Sequence, residues 1–237
     1  LRTVDAVAGR VAAVKPQSAF FECHGSAGIA VLEETLAALR DVGTLSVLDV
    51  KRGDIGSTMV GYAQAYLSDG APLAADSITV SPYLGYGSLT PALDLAEASG
   101  RGIFVLALTS NPEGATVQHA IRGDQAVAAG VVEGVTASNA PASGEGRLGS
   151  IGLVVGATVG EAVSHLEIDL LHANGPLLAP GVGAQGAGPA ELESVFGAAR
   201  RHVLASTSRG VLKAGPSIEA LRTAALAATH EAATALR

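Results

Sequence analysis

Short apolar, largely β-branched runs punctuate the chain at residues 11–14, 45–48, 77–80, 103–108, 151–155, 177–179 and 203–205. Each is too brief for a helix and is bounded by polar, Gly or Pro residues, the pattern of a strand buried on both faces of a parallel sheet. Between them lie Ala- and Leu-rich segments of helical period at 28–40, 57–67, 89–98, 125–137, 161–166, 190–200 and 217–236. In the first, Ile29, Leu32, Leu36 and Leu39 share one face, with Glu33, Glu34 and Arg40 elsewhere. Residues 1–9 read as the end of a helix whose strand precedes Leu1. The stretch 139–149, NAPASGEGRLG, reads as a surface loop. Nothing marks a domain boundary, so a single domain over 1–237 is expected.

Seven strands alternating with helices fit either an open doubly wound sheet or a (β/α)8 barrel lacking one strand. Polar residues choose between them. Nearly every apolar run ends in a chemically capable residue: Lys15, Asp49 with Lys51, Ser81, Thr109 with Ser110, Pro180 before a Gly-rich loop, and 206–209. In a barrel all strand C-termini converge on one mouth, where the chemistry is done. An open sheet would scatter these residues along a crevice and leave several idle. A barrel is expected.

Composition narrows the function classes. Hydrophobic residues make up 48% and charged residues 16%, which excludes a disordered chain. Aromatics are only 3% with no Trp, so a stacking platform for single-stranded nucleic acid is not expected. Fifteen Lys+Arg against 22 Asp+Glu leave a formal charge of −7 without a basic run, which argues against any phosphate-backbone binder. The single Cys23 excludes an intrachain disulfide and a multi-cysteine metal site, and it fits a reducing cytoplasm. No apolar run approaches the ~18 residues of a membrane span.

The sharpest motif is DVKRGDIGST from Asp49 to Thr58. On an extended segment Asp49 and Lys51 point to the same side, and Asp54 sits at the turn into the next helix. Taken alone, D-x-K-x-x-D fits a structural ion-pair cluster or a helix-capping turn as well as a catalytic set. Lys15, at the end of the preceding strand, favours the catalytic set. Two lysines and two carboxylates at one mouth would perturb one another's proton affinities. A second constellation is PGVGAQGAG, residues 180–188, followed one strand later by STSRG, residues 206–210. Glycines let backbone N–H groups approach an anion, and Arg209 can grip a phosphate. Barrel phosphate sites favour the loops after the last two strands. The literal G-x-G-x-x-G within this loop is a poor dinucleotide signature, since no acidic residue closes the next strand. Six scattered histidines show no metal-ligand spacing.

In this order LDVKRGDIGST, SPYLG, TSNP, VVGAT, PGVGAQG and SRG resemble the orotidine 5′-phosphate decarboxylase family, in its longer actinobacterial form, from about residue 13 to 210. The resemblance implies a (β/α)8 TIM barrel of the ribulose-phosphate-binding type, a cytoplasmic homodimer, and conversion of orotidine 5′-monophosphate to UMP and CO2 without metal or cofactor. Lys15, Asp49, Lys51 and Asp54 would form its charged tetrad. Asp54, Ile55 and Thr58 would come from the neighbouring subunit, and Lys51 would protonate C6. Ser110 would contact the pyrimidine, and Pro180 and Gly183 would line the substrate. Gln185, Arg209 and backbone N–H groups near Gly210 would hold the phosphate, and the loop 181–188 would serve as a lid. The family's first strand, with an Asp that binds ribose, has no counterpart in 1–237, so a segment ahead of Leu1 is expected. Two rival readings share these residues: a Mg2+-dependent sugar-phosphate decarboxylase or aldolase on a related barrel, and a non-catalytic phosphoribosyl-ligand sensor.

Overall fold

The computed structural model describes residues 1–183 and 186–237. Along the first half run α1 (Arg2–Val7), β1 (Ala13–Val14), α2 (Ala19–Glu22), α3 (Gly25–Asp41), β2 (Leu45–Arg52), α4 (Gly56–Leu67), β3 (Ser77–Val80), α5 (Thr90–Ala98) and β4 (Gly102–Leu108). The second half continues with α6 (Ala115–Gln118), β5 (Ile121–Arg122), β6 (Gln125–Ala126), α7 (Val127–Gly144), β7 (Ile151–Val155), α8 (Ala162–His165), β8 (Leu177–Pro180), α9 (Pro189–Phe196), β9 (Val203–Ser206), α10 (Arg209–Leu212) and α11 (Ile218–Ala235). All seven apolar runs form strands. The chain divides into two compact units, Leu1–Ile103 with Ser208–His230, and Phe104–Thr207 with Glu231–Arg237.

In the first unit β1 pairs in parallel with β2, Ala13 opposite Leu45. Next, β2 pairs in parallel with β3, Val47 opposite Ser77 and Leu48 opposite Ile78. The register then slips, so that Arg52 faces Val80: four steps along β2 match two along β3. This bulge comes where the apolar run gives way to charged residues. Leu32, Leu36 and Leu39 of α3 are buried together with Leu48, Met59, Leu67 and Ile78. Each such side chain contributes about 1.5–3 kcal/mol of burial. A Cβ on Gly28 would lie 1.9 Å from the Phe21 carbonyl oxygen, so the tight turn of α2 against α3 requires glycine there. Ala6 and Val7 of α1 pack on Leu221 and Ala225 of α11.

In the second unit β7, β8 and β9 are parallel, with Leu153 opposite Leu177 and Leu177 opposite Val203. β5 and β6 form a small antiparallel hairpin, so residues 125 and 126, expected to open a helix, belong to a strand instead. The surface loop expected at 139–149 is also corrected: α7 continues to Gly144. Asn139 is 2% exposed. Its Nδ2 donates to the carbonyls of Ile151 at 2.7 Å and Ala173 at 2.8 Å, and its Oδ1 accepts the Ile151 N–H. A residue that favours loops by its local chemistry is here a buried clamp. No helix among the described residues is long and apolar enough to cross a membrane.

Candidate active site

The bulge in β2 builds the site. Asp49 is 6% exposed, and its backbone is pinned to the segment after β1: its N–H donates to Pro16 O, and its carbonyl accepts the Ser18 N–H. Its carboxylate receives four donors. Lys15 Nζ at 2.8 Å and Gln17 Nε2 at 3.0 Å meet Oδ2; Lys51 Nζ at 2.5 Å and Thr79 Oγ1 at 2.8 Å meet Oδ1. Burial pushes the Asp49 carboxyl up, but the hydrogen bonds from Lys15 and Lys51 and their charges outweigh it and hold the group below the usual carboxylate range. Asp49 and Lys51 share a side, as expected, though not through extended backbone. Lys51 lies in the left-handed region at φ 45°, which costs a side-chain-bearing residue about 1–2 kcal/mol. Its side chain is 46% exposed, whereas that of Lys15 is 23% exposed, so Lys51 is the ammonium open to an incoming ligand.

Beside this cluster lies a cleft of about 310 Å3 lined by 17–20, Glu22 and 49–52. Arg52 ties its walls together. It pairs with Glu22 at 2.6 Å, donates to Tyr66 Oη at 3.3 Å and lies over the Tyr62 and Tyr66 rings. Ser18 donates to Glu22 at 2.6 Å; that bond, then the Arg52 charge, lowers the Glu22 carboxyl below its ordinary value against the effect of burial. After Arg52 the backbone runs close to β3: a Cβ on Gly53 would lie 2.3 Å from the Ser81 carbonyl oxygen. The motif thus needs glycine between its two charged halves.

Asp54 does not join the cluster. Its Oδ1 accepts the N–H of its own neighbour Ile55 at 2.8 Å, and among the described residues it pairs with neither lysine. Within this chain the gathering is two lysines and one carboxylate; the second carboxylate of the expected tetrad, Asp54, is the one that the family resemblance assigns to a neighbouring subunit. Ile55 is 62% exposed and Thr58 is also exposed. Arg209 and Gly210 open α10 and are exposed.

In the second unit, Ser110 is exposed in the loop after β4. The side-chain amide of Gln118 clasps the preceding Thr109, accepting its N–H at 2.9 Å and donating to its Oγ1 at 2.7 Å. Pro180 ends β8 and accepts the Ala157 N–H at 3.0 Å. Gly183 has φ 104° and donates to Ala187 O. Gln185 lies outside the described residues. No group of three or more His, Cys, Asp or Glu side chains among the described residues is placed to hold a metal ion.

Residues 1–224 match the family described as Orotidine 5′-phosphate decarboxylase / HUMPS. The chain belongs to that family. It is 60% identical over 223 residues to the orotidine 5′-phosphate decarboxylase of Streptomyces coelicolor, covering 94% of this chain and 78% of the relative. A solved Streptomyces avermitilis structure assigned to the same enzyme superposes with a TM-score of 0.92 at 57% identity, covering 99% of this chain and 80% of that one. The Leishmania donovani OMP decarboxylase structure gives 0.74 at 31% identity, covering 94% of this chain and 80% of that one. Together with the strand–helix alternation, these similarities assign the chain to the (β/α)8-barrel class expected from its sequence.

Sequence reasoning missed Gln17, Thr79 and the Glu22–Arg52 link. Thr79 did carry a signal: a hydroxyl inside a four-residue strand that is buried throughout must find a partner. The identity of that partner follows only from the slip in register.

Proposed function

We propose that this protein decarboxylates orotidine 5′-monophosphate to UMP and CO2, the last step of de novo pyrimidine synthesis. The observation that carries the reading is the buried Asp49 carboxylate holding Lys15 at 2.8 Å and Lys51 at 2.5 Å, in a chain of this family. When the bond from C6 to the carboxylate breaks, CO2 departs and the electron pair stays on C6, with no π-system to receive it. A fixed cation where that charge appears stabilises the transition state. Lys51 supplies the cation, then gives a proton to C6 and regains one from solvent. Asp49 holds the Lys51 ammonium in place. Arg209, Gln185 and N–H groups at Gly210 bind the phosphate, Ser110 meets the pyrimidine, and Pro180 and Gly183 line the substrate. Binding energy at the phosphate is then available at the reacting carbon. Asp54, Ile55 and Thr58 serve the site of a second copy in a cytoplasmic homodimer. Their support is that Asp54 pairs with neither lysine of its own chain among the described residues and Ile55 stands 62% exposed.

The test is the loss of orotidylate absorbance with wild type and Lys51→Ala. Wild type should turn over. The variant should fall below a hundredth of that rate, a loss in the range of at least about 3 kcal/mol of transition-state stabilisation, while still binding UMP. Retained turnover in the variant removes Lys51 from its role. A wild-type protein that binds UMP without consuming orotidylate would be a ligand sensor.

A further inference from the structure

We propose that the Thr79 hydroxyl is the positioning group that fixes Lys51 on Asp49. The reaction consequence of this assignment rests on the decarboxylase reading. The bulge in β2 leaves the segment from Asp49 to Lys51 opposite a single residue of β3, Thr79, which is 1% exposed. There the hydroxyl takes the place of a missing ladder carbonyl: Oγ1 accepts the Lys51 backbone N–H at 2.9 Å. The same oxygen donates its proton to Asp49 Oδ1 at 2.8 Å, the oxygen that also receives Lys51 Nζ. A closed ring results, running from the Lys51 backbone through the hydroxyl and the carboxylate to the Lys51 ammonium. Only a group that accepts and donates at one atom completes it, which a hydroxyl does and a methyl does not.

Two features make the ring matter. Lys51 stands at φ 45°, a backbone conformation that surrounding bonds must hold. Its ammonium is also the more exposed of the two, with packing on fewer sides to aim it. Thr79 therefore fixes both ends of the residue, the backbone directly and the ammonium through Oδ1. Gln17 and Lys15 act on the other oxygen, Oδ2, and cannot replace it. Thr79 itself is not a catalytic residue, since it acts only through Lys51 and Asp49.

The test compares Thr79→Val, which keeps the shape and removes the hydroxyl, with Thr79→Ser, which keeps the hydroxyl. Wild type, both variants and their folding are measured side by side. Steady-state kinetics on orotidylate should show kcat lowered about 100-fold in Thr79→Val, the scale of a slight misplacement of a reacting group. KM should stay within about threefold, since the contact is made to the catalytic lysine and not to bound substrate. Thr79→Ser should restore kcat to within about threefold. A second readout needs no turnover: the Asp49 carboxyl, followed by carbon NMR, should titrate at higher pH in Thr79→Val than in wild type, and return in Thr79→Ser. Unchanged kcat in Thr79→Val, equal loss in Thr79→Ser, or an unmoved carboxyl titration each overturns the assignment. Were wild type itself inactive, the decarboxylase reading would fall, and the titration alone would decide whether Thr79 holds the pair.

Discussion

Replacing Asp49 with Asn tests the centre of the site without reference to turnover. Both carboxylate oxygens accept two donors each, Lys15 and Gln17 on one side and Lys51 and Thr79 on the other. An Asn side chain has one oxygen and one NH2 group, so either orientation of its amide sets N–H against two donors. Two hydrogen bonds disappear, at least one of them charged, and charged bonds are each worth about 1.5–3 kcal/mol. Breaking a fully buried ion pair costs about 3–5 kcal/mol. The Lys51 side chain, 46% exposed, can turn into water and recover part of that. The net expectation is a loss of about 2–4 kcal/mol at pH 7, read by urea unfolding. Acid should close the gap. The folded Asp49 pKa lies below the unfolded value of about 3.9, so its contribution is complete above that value and is lost as pH falls through the folded pKa. A gap under about 1 kcal/mol at pH 7, within the ordinary range of point substitutions, would refute this reasoning, as would a gap that widens in acid.

Arg209→Ala should weaken UMP binding by about 2–5 kcal/mol in calorimetry, the cost of removing a charge-assisted phosphate contact; unchanged affinity would locate the phosphate elsewhere. Mixtures of Asp49→Ala and Asp54→Ala proteins should recover activity that neither has alone, and verified heterodimers without recovery would end the shared-site reading. Asn139→Leu removes three buried hydrogen bonds around Ile151 and should lower stability by about 2–4 kcal/mol. A loss below about 1 kcal/mol would mean that residues 139–149 behave as the loop their composition suggests.

The strands were legible because their signal is local: short β-branched runs that cannot make a helix. Legibility failed where charge or polarity masked regular structure. β2 runs on through Asp49, Val50, Lys51 and Arg52, and a charged strand end looks like a loop. α7 continues through Asn139, Pro141 and Gly144 because bonds from Asn139 to Ile151 and Ala173 override local preference. The hairpin at Ile121–Arg122 and Gln125–Ala126 turns at Gly123, φ 72°, and has no apolar alternation to announce it. In the site, Lys15, Asp49 and Lys51 were visible as charges at strand ends. Thr79 was not, because its partner lies thirty positions away and depends on the bulge. Asp54 stays outside the cluster of its own chain, and the tetrad that the family resemblance implies would take it from a second copy.

The same geometry bears on what Asp49 does to the substrate. One proposal for such a site is that a carboxylate repels the substrate's carboxylate and so raises the ground state. Repulsion of that kind requires a charge left largely uncompensated. Asp49 is instead met by two ammonium groups, an amide and a hydroxyl, and its proton affinity is lowered rather than raised. Two lysines against one carboxylate leave the cluster cationic within this chain, with Lys51 as its open end. Once the second copy's Asp54 joins the proposed site, lysines and carboxylates balance, so no uncompensated negative charge is left to repel an incoming carboxylate, and Lys51 remains open to the carbanion left after CO2 departs. The arrangement therefore favours a preorganised cation over electrostatic stress. Asp49→Asn should accordingly lower kcat through a misaligned Lys51 without tightening the binding of orotidylate analogues. Substantially tighter binding of an anionic C6-substituted analogue to that variant, with no such gain for UMP, would restore the repulsive account.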